Sequence, residues 1–261
     1  MKIAVTGCMG RMGREALKQV IHAHQRNSCE LVGAIVHDHV DLDLGAIAGT
    51  EAMGIKPSQD AESVIKKADV IIDFTSPIAS LNFAKLCAKH NKKLVCGTTG
   101  FTSEQLNELA NLAKETTIFY TANMSIGINL LAGLVEKAAR ILDDEYDIEI
   151  IEAHHNKKLD APSGTALMLG EVAKTARSKP QMLPCLDRNK LRTKDDIGYA
   201  VIRGGDIVGE HTVMFAGLGE RIELTHKATD RKIFARGALK AALWLNDRPK
   251  GKLYKMSDLL G

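Results

Sequence analysis

Two histidines, two lysines and the start of a helix fall within the stretch Glu152-Ala-His-His-Asn-Lys-Lys-Leu-Asp-Ala-Pro-Ser-Gly-Thr165. The run 148–153 leads into it and reads as a buried strand. Titratable side chains just beyond a strand's carboxyl end lie where ligands meet an α/β sheet. Ser163-Gly164-Thr165 then opens an apolar-periodic segment with Pro162 and Ser163 at its cap, so a new helix starts beside the cationic cluster. The unpaired amides and the dipole of such a terminus both favour an anion. A histidine or lysine here can donate a proton, and a lysine can also neutralise charge that develops during a reaction. The chemistry implied is proton donation next to a held carboxylate.

Other readings of the same residues fare worse. Adjacent histidines on an extended chain point opposite ways, and no nearby cysteine or carboxylate completes a metal shell, so no metal is expected. Ser163 lacks the G-x-S-x-G surroundings of a hydrolase nucleophile. A merely solvated charge run would not be expected to end a buried strand and precede a capped helix start.

The elements that must position this stretch begin at Lys2-Ile-Ala-Val-Thr6, a short β-branched strand that stops at Gly7-Cys8-Met9-Gly10-Arg11-Met12-Gly13. A helical pattern follows, with Ala16, Leu17, Val20 and Ile21 on one face. Strand, glycine turn and helix form the context of a dinucleotide fingerprint, although the spacing is G-x-x-G-x-x-G and a purely structural turn fits it equally. Further strands are expected at 31–36, 70–74, 93–96 and 117–120, with helices at 61–67, 78–89 and 103–114 between them. Such alternation means parallel βαβ units in a doubly wound, Rossmann-type α/β sheet. Its strand ends read Thr6-Gly7, Val36-His37-Asp38, Asp73-Phe-Thr75, Cys96-Gly-Thr-Thr-Gly100 and Tyr120-Thr-Ala-Asn-Met124. Small and hydroxyl residues recur there, which suits backbone contact with a phosphorylated ligand. Asp38 is a candidate for the ribose hydroxyls, though a solvated loop aspartate reads as well.

In the second half, 125–142 has the periodicity of a long core helix joining two domains, and a helix is expected over 164–177. Residues 178–195 are polar, carry Pro180 and Pro184, and read as a loop. Alternation over 198–203, 210–215 and 221–226 predicts antiparallel strands with one covered face, in a second, α+β domain built on a mixed or antiparallel sheet. A returning helix follows over 234–245, with Trp244 in the core. The expected domains are therefore 1–124 with about 230–261, and 125–229.

Composition narrows the class. The formal net charge is +3 and aromatic residues make up 4% of the chain, so neither a polybasic surface nor a stacking platform for nucleic acid is implied, and no membrane partner. Five scattered cysteines read as free thiols in a reducing compartment. With no signal-peptide core and no apolar run approaching the ~20 residues of a membrane span, a cytoplasmic location is expected.

Glu152-Ala-His-His-x-x-Lys158-x-Asp-Ala-Pro-Ser-Gly-Thr-Ala166 resembles the signature of the bacterial dihydrodipicolinate reductase family of lysine and diaminopimelate synthesis. The resemblance extends to Gly7–Gly13, Asp73-Phe-Thr75, Gly97-Thr-Thr-Gly-Phe101, Asn123 with Ser125, Gly205-Asp-Ile-Val-Gly-Glu-His211 and Ala242-Leu-Trp-Leu245. It implies hydride transfer from NADH or NADPH to a cyclic, unsaturated dicarboxylate. His154 and Lys158 resemble the family's proton donors, His155 a substrate-binding residue, and Gly164 with Thr165 the amides that grip a substrate carboxylate. Gly7, Cys8, Met9, Gly10, Arg11 and Met12, His37 and Asp38, Gly97, Thr98 and Thr99, and Thr121, Ala122, Asn123 and Met124 resemble the cofactor contacts. His37-Asp38 stands where some members carry Glu-Arg, Ser76 where they carry arginine, and Met124 where they carry phenylalanine. The first two changes remove partners for a 2′-phosphate, so NADH is expected to serve at least as well as NADPH. The resemblance also implies a homotetramer assembled through the second sheet.

Overall fold

The computed structural model describes every residue except Asp187, Arg188 and Lys190. In chain order the elements are β1 (Lys2–Thr6), α1 (Arg11–Gln25), β2 (Glu30–Ile35), α2 (Leu44–Ala48), α3 (Ala61–Lys67), β3 (Val70–Asp73), α4 (Pro77–Lys89), β4 (Lys93–Cys96), α5 (Ser103–Leu112) and β5 (Ile118–Tyr120). They continue with α6 (Ile126–Ile141), β6 (Asp147–His154), α7 (Gly164–Ala176), β7 (Leu183–Cys185), β8 (Asp196–Arg203), β9 (Gly209–Gly217), β10 (Glu220–Ala228), α8 (Lys232–Leu245), β11 (Leu253–Tyr254) and α9 (Met256–Leu260). The chain divides into two compact units, one of Met1–Ile126 with Arg231–Gly261 and the other of Gly127–Asp230.

The first unit is built on a six-stranded parallel sheet ordered β11-β5-β4-β3-β1-β2. Side chains alternate across a strand, and here both faces are apolar. Ile3, Val5, Val70, Ile72, Val95 and Phe119 enter one core with α1, α2 and α8, whereas Ala4, Ile71, Leu94, Cys96 and Ile118 enter the other with α3, α4 and α5. This is the doubly wound, Rossmann-type arrangement. Local chemistry sets the helix starts: Asp60 caps α3, Ser76 caps α4 with Pro77 following, and Thr102 and Gln105 form a reciprocal capping box on α5. Trp244 packs edge-on against Phe119 and Tyr254. The short elements α2, β11 and α9 escaped the periodicity argument, since two to five residues give no period to read.

The second unit has a five-stranded mixed sheet ordered β10-β9-β6-β8-β7. Here one expectation is corrected. The segment 198–203 is not antiparallel to its neighbours, because β8 runs parallel to both β6 and β7. The intervening α7 makes β6-α7-β8 a crossover unit, and a crossover returns the chain in the same direction. Only β9 and β10 are antiparallel, β9 against β6 and β10 against β9 across the turn Leu218-Gly219. The loop expected over 178–195 also contains the short strand β7; its residues 187, 188 and 190 lie outside the described set. The covered face packs Ile148, Ile150, Val213 and Phe215 against α6 and α7.

Candidate active site

β6 carries the chemistry of the second unit. Ile148, Ile150, Glu152 and His154 occupy alternate positions and are all buried, so the strand's core-facing row ends in a carboxylate and an imidazole. The Glu152 side chain is fully buried and each of its oxygens accepts two hydrogen bonds. Oε2 takes His154 Nδ1 at 2.5 Å and an Arg203 nitrogen at 2.9 Å. Oε1 takes the other Arg203 nitrogen at 2.8 Å and the Ser163 N–H at 3.0 Å. Sheet register explains the meeting, since β8 places Arg203 opposite His154 and β9 places His211 opposite Glu152.

These contacts set the charge states. Burial pushes the Glu152 carboxyl up, but Arg203, His154 and the Ser163 amide outweigh it and hold the group below its ordinary value. Burial pushes His154 below its ordinary value despite the opposing pull of Glu152. His211, stacked edge-on to His154 at 5.1 Å between ring centres, is pushed down to about 4 by burial, with His154 adding to the effect. Its Nε2 lies 3.1 Å from Ser163 Oγ, while its Nδ1 is buried without a hydrogen-bond partner. With Glu152 accepting at Nδ1, Nε2 is the ring nitrogen of His154 that Glu152 leaves unengaged.

Beyond β6 the chain turns back on itself. The Lys158 N–H donates to the His155 carbonyl at 3.1 Å, and Arg203 donates to the Asp160 carbonyl at 2.6 Å, so one guanidinium fastens both the carboxylate and the loop. Ser163 caps α7 through Ala166 N–H at 3.2 Å. A side chain on Gly164 would meet nothing within 4 Å, so the space before this terminus is open. One of the chain's own carboxylates reaches the terminus. Asp160 accepts from Lys158 Nζ through both oxygens, at 2.7 and 2.9 Å, and is held below its ordinary value chiefly by Lys158, with the Gly164 amide contributing. Lys158, Gly164 and an anion therefore already meet, and the anion is an aspartate.

The first unit gathers its candidates at the strand ends. Gly7 has φ +67°, and a side chain there would strike the Phe74 carbonyl at 2.7 Å; on Gly13 it would lie 2.0 Å from the Gly7 carbonyl. The turn thus lays bare backbone against α1, whose first turn has no side-chain cap and no acidic residue. An anion suits such a terminus, so the turn fits the pyrophosphate of a dinucleotide. Met9, Gly10, Arg11 and Met12 are at least partly exposed, whereas the Cys8 side chain is buried and its thiol pushed up to about 11 by that burial. His37 and Asp38 are exposed after β2, with Asp38 3.7 Å from His39. Thr99 and Ala122 are exposed, while Gly97, Thr121 and Asn123 are half-buried. Thr98 and Met124 are buried: Thr98 belongs to a hydroxyl cluster, and Met124 packs in the core, where its carbonyl would be 1.8 Å from a side chain on Gly237.

The hydroxyl cluster surrounds Asp73, a fully buried carboxylate that accepts from Thr6 at 2.5 Å, Thr75 at 2.6 Å, Thr98 at 3.1 Å and Ser80. It ties the ends of β1, β3 and β4 to α4 behind the glycine turn. Sequence reasoning did not single out Glu152, Arg203, His211 or Asp73 for a role. Glu152 was legible, two residues before His154 on the same strand face; the others meet their partners only through sheet register.

Models of the dihydrodipicolinate reductase N-terminus and C-terminus match residues 1–124 and 127–260. The chain belongs to the dihydrodipicolinate reductase family. It is 47% identical over 264 residues to a 4-hydroxy-tetrahydrodipicolinate reductase of Ruegeria sp. (strain TM1040), covering 99% of this chain and 97% of that one. It is 45% identical to the same-named protein of Roseobacter denitrificans, over 100% and 97% of the two chains. Dipicolinate-bound dihydrodipicolinate reductase from Paenisporosarcina sp. TG-14 superposes with a TM-score of 0.77 at 28% identity, over 98% and 97%. As a member of the family, the chain is an NAD(P)H-dependent oxidoreductase. Among the described residues no helix is long and apolar enough to cross a membrane.

Proposed function

We infer that this member reduces 4-hydroxy-tetrahydrodipicolinate to tetrahydrodipicolinate, in the diaminopimelate route to lysine. The observation that carries the reading is the buried Glu152–His154 pair at the end of β6, which feels the charge of Lys158 and leads into a loop that brings that lysine and an open helix terminus together. NADH or NADPH supplies the hydride when bound. Gly7 to Met12, Gly97 to Thr99 and Thr121 to Met124 would hold it, Cys8, Thr98 and Met124 through backbone because their side chains are buried. His37 and Asp38, with no arginine beside them, would take the ribose end, which favours NADH at least as much as NADPH.

His154 holds a proton at Nε2 for the atom next to the hydride acceptor. Lys158 is the second donor and, as a cation, offsets charge that develops there. His155, Gly164 and Thr165 receive a substrate carboxylate, which takes over the interactions Asp160 makes with Lys158 and the Gly164 amide. Glu152 and Arg203 position His154 and touch no substrate. The first unit is read as the dinucleotide-binding domain and the second as the substrate-binding domain. Val201, Ile202 and Ile222 are exposed on β8 and β10, an apolar surface that assembly of a homotetramer through this sheet would cover. A cytoplasmic location is the reading that goes with this pathway, and the five free thiols are in keeping with a reducing compartment.

The test is oxidation of NADH and NADPH, side by side, with substrate made in situ from pyruvate and aspartate semialdehyde by the upstream synthase. Substrate-dependent oxidation is expected, and Lys158→Ala should lower kcat by about 10²–10⁴-fold, the usual worth of a positioned acid. No oxidation by protein that still binds NADH would overturn the function. Unchanged turnover in the folded variant would remove Lys158 from it, and a strong NADPH preference would refute the cofactor reading.

A further inference from the structure

α1 and α8 pack against each other in the first unit and leave a groove of about 480 Å³ between them. From α1 and the residue just past its end come Lys18, His22 and Arg26; from α8 come Lys232, Arg236 and Lys240. Each trio is spaced i, i+4, i+8, which keeps side chains on one helix face, about 6 Å apart along the axis and about 12 Å from first to last. No carboxylate lines the groove. Among the described residues, Lys18, Arg26, Arg236 and Lys240 have no carboxylate partner.

Such crowding is unfavourable by itself. Like charges at i, i+4 repel, and cations in the first turn of a helix oppose its dipole. α8 nonetheless carries Arg236 and Lys240 at i, i+4 near its start, where the first turn holds no acidic residue. The arrangement costs stability unless an anion relieves it. The groove's volume is that of a small-molecule site. It has no aromatic side chain on which a nucleic-acid base could stack. Two leucines, Leu239 and Leu243, give it one apolar wall.

We propose that the α1–α8 groove is a second ligand site, distinct from the turn that fits the dinucleotide, and that it takes a small molecule carrying two or more phosphate groups spread over about 6–12 Å. Lys18 and Arg26 on one side and Arg236 and Lys240 on the other grip the phosphates, and Leu239 with Leu243 accepts the uncharged part of the ligand. The formal net charge of +3 conceals this concentration, because acidic residues elsewhere balance it.

The experiment is isothermal titration of inorganic tripolyphosphate, and separately of ATP, into the full chain saturated with NADH, so that phosphate affinity of the glycine turn is not counted. Saturable one-to-one binding is expected, weakening as salt rises. Lys18→Gln/Arg236→Gln and Arg26→Gln/Lys240→Gln should each lower the affinity by about 10-fold or more, since each removes two charge-assisted contacts. Equal affinity for both probes would assign the site to the phosphate chain, and tighter ATP binding would bring in the leucine wall; either supports it. No binding to the parent protein, or binding unchanged in both variants with melting temperatures retained, would overturn the proposal. So would tighter binding of duplex DNA or of anionic phospholipid vesicles, sensitive to the same substitutions. Failure to bind NADH would count against the proposed function alone, because the variants still locate the polyphosphate site.

Discussion

Glu152→Gln puts the positioning of His154 to its sharpest test, because the substitution keeps the shape and changes only what the oxygens can accept. One oxygen must become an NH₂ group. At the Oε1 position it would face an Arg203 nitrogen and the Ser163 amide, both obligatory donors. At the Oε2 position it would face the other Arg203 nitrogen and His154 Nδ1, and only the ring nitrogen can yield its proton. The amide therefore turns its NH₂ toward His154, which must then accept at Nδ1. The neutral ring moves its hydrogen to Nε2, and its doubly protonated, acidic form loses the carboxylate that favoured it. Removing a positioned acid's function costs about 10²–10⁴-fold in kcat. The lost charged hydrogen bond to Arg203, side chain 19% exposed, costs about 2–3 kcal/mol of stability. Because Glu152 raises His154 against the downward effect of burial, the limb of kcat/KM that falls with rising pH should move to lower pH in the variant. Steady-state kinetics across pH, with NADH affinity and melting temperature measured alongside, decides the matter. A folded variant whose kcat lies within about threefold of the parent and whose pH profile is unmoved would refute the reasoning.

Two further predictions concern the same unit. Asp160→Asn frees Lys158 and the Gly164 amide, so dipicolinate should bind about 2–5-fold more tightly, a modest gain because Asp160 is 58% exposed; unchanged or weaker binding by calorimetry would show that Asp160 does not compete for the anion position. His211 is kept neutral, with its pKa lowered from 6.5 to about 4. The unfolded chain takes up a proton in that window and the folded one does not, so stability is complete above pH 6.5 and falls by up to about 3 kcal/mol as the pH drops toward 4. Denaturant midpoints should fall across that window in the parent, and His211→Gln should flatten the fall; parallel curves would contradict the assignment.

The elements that were legible in the sequence are those whose evidence is local. β1, α3 and β4 follow from short apolar runs and capping residues, and the α7 terminus from Pro162, Ser163 and Gly164. The direction of β8 was not local, because strand alternation reports which face is covered and is silent about which way a neighbour runs. The site divides in the same way. The cluster from His154 to Lys158 stood out by residue type and place, and the family resemblance chose His154 and Lys158 within it, whereas Arg203 and His211 meet Glu152 through pairings across β6, β8 and β9. Asp73 was visible only as part of a motif; its four hydroxyl partners come from β1, the β3–α4 connection, α4 and the segment after β4.

The parallel sheet of the first unit is closed at one edge by β11, which pairs with β5 after the chain has passed through the whole of the second unit. That order bears on how the chain matures during synthesis. The residues 127–230 form a contiguous block that can fold as soon as it has emerged from the ribosome. The first unit must wait with the edge of β5 unpaired and with the seats of Ala235, Ala238, Ala242 and Leu245 unfilled. An open strand edge beside uncovered apolar surface invites aggregation and engages chaperones. A stop codon ahead of Arg231 would leave the glycine turn and every strand from β1 to β5 in the product, yet strand that half-finished sheet in its most vulnerable state.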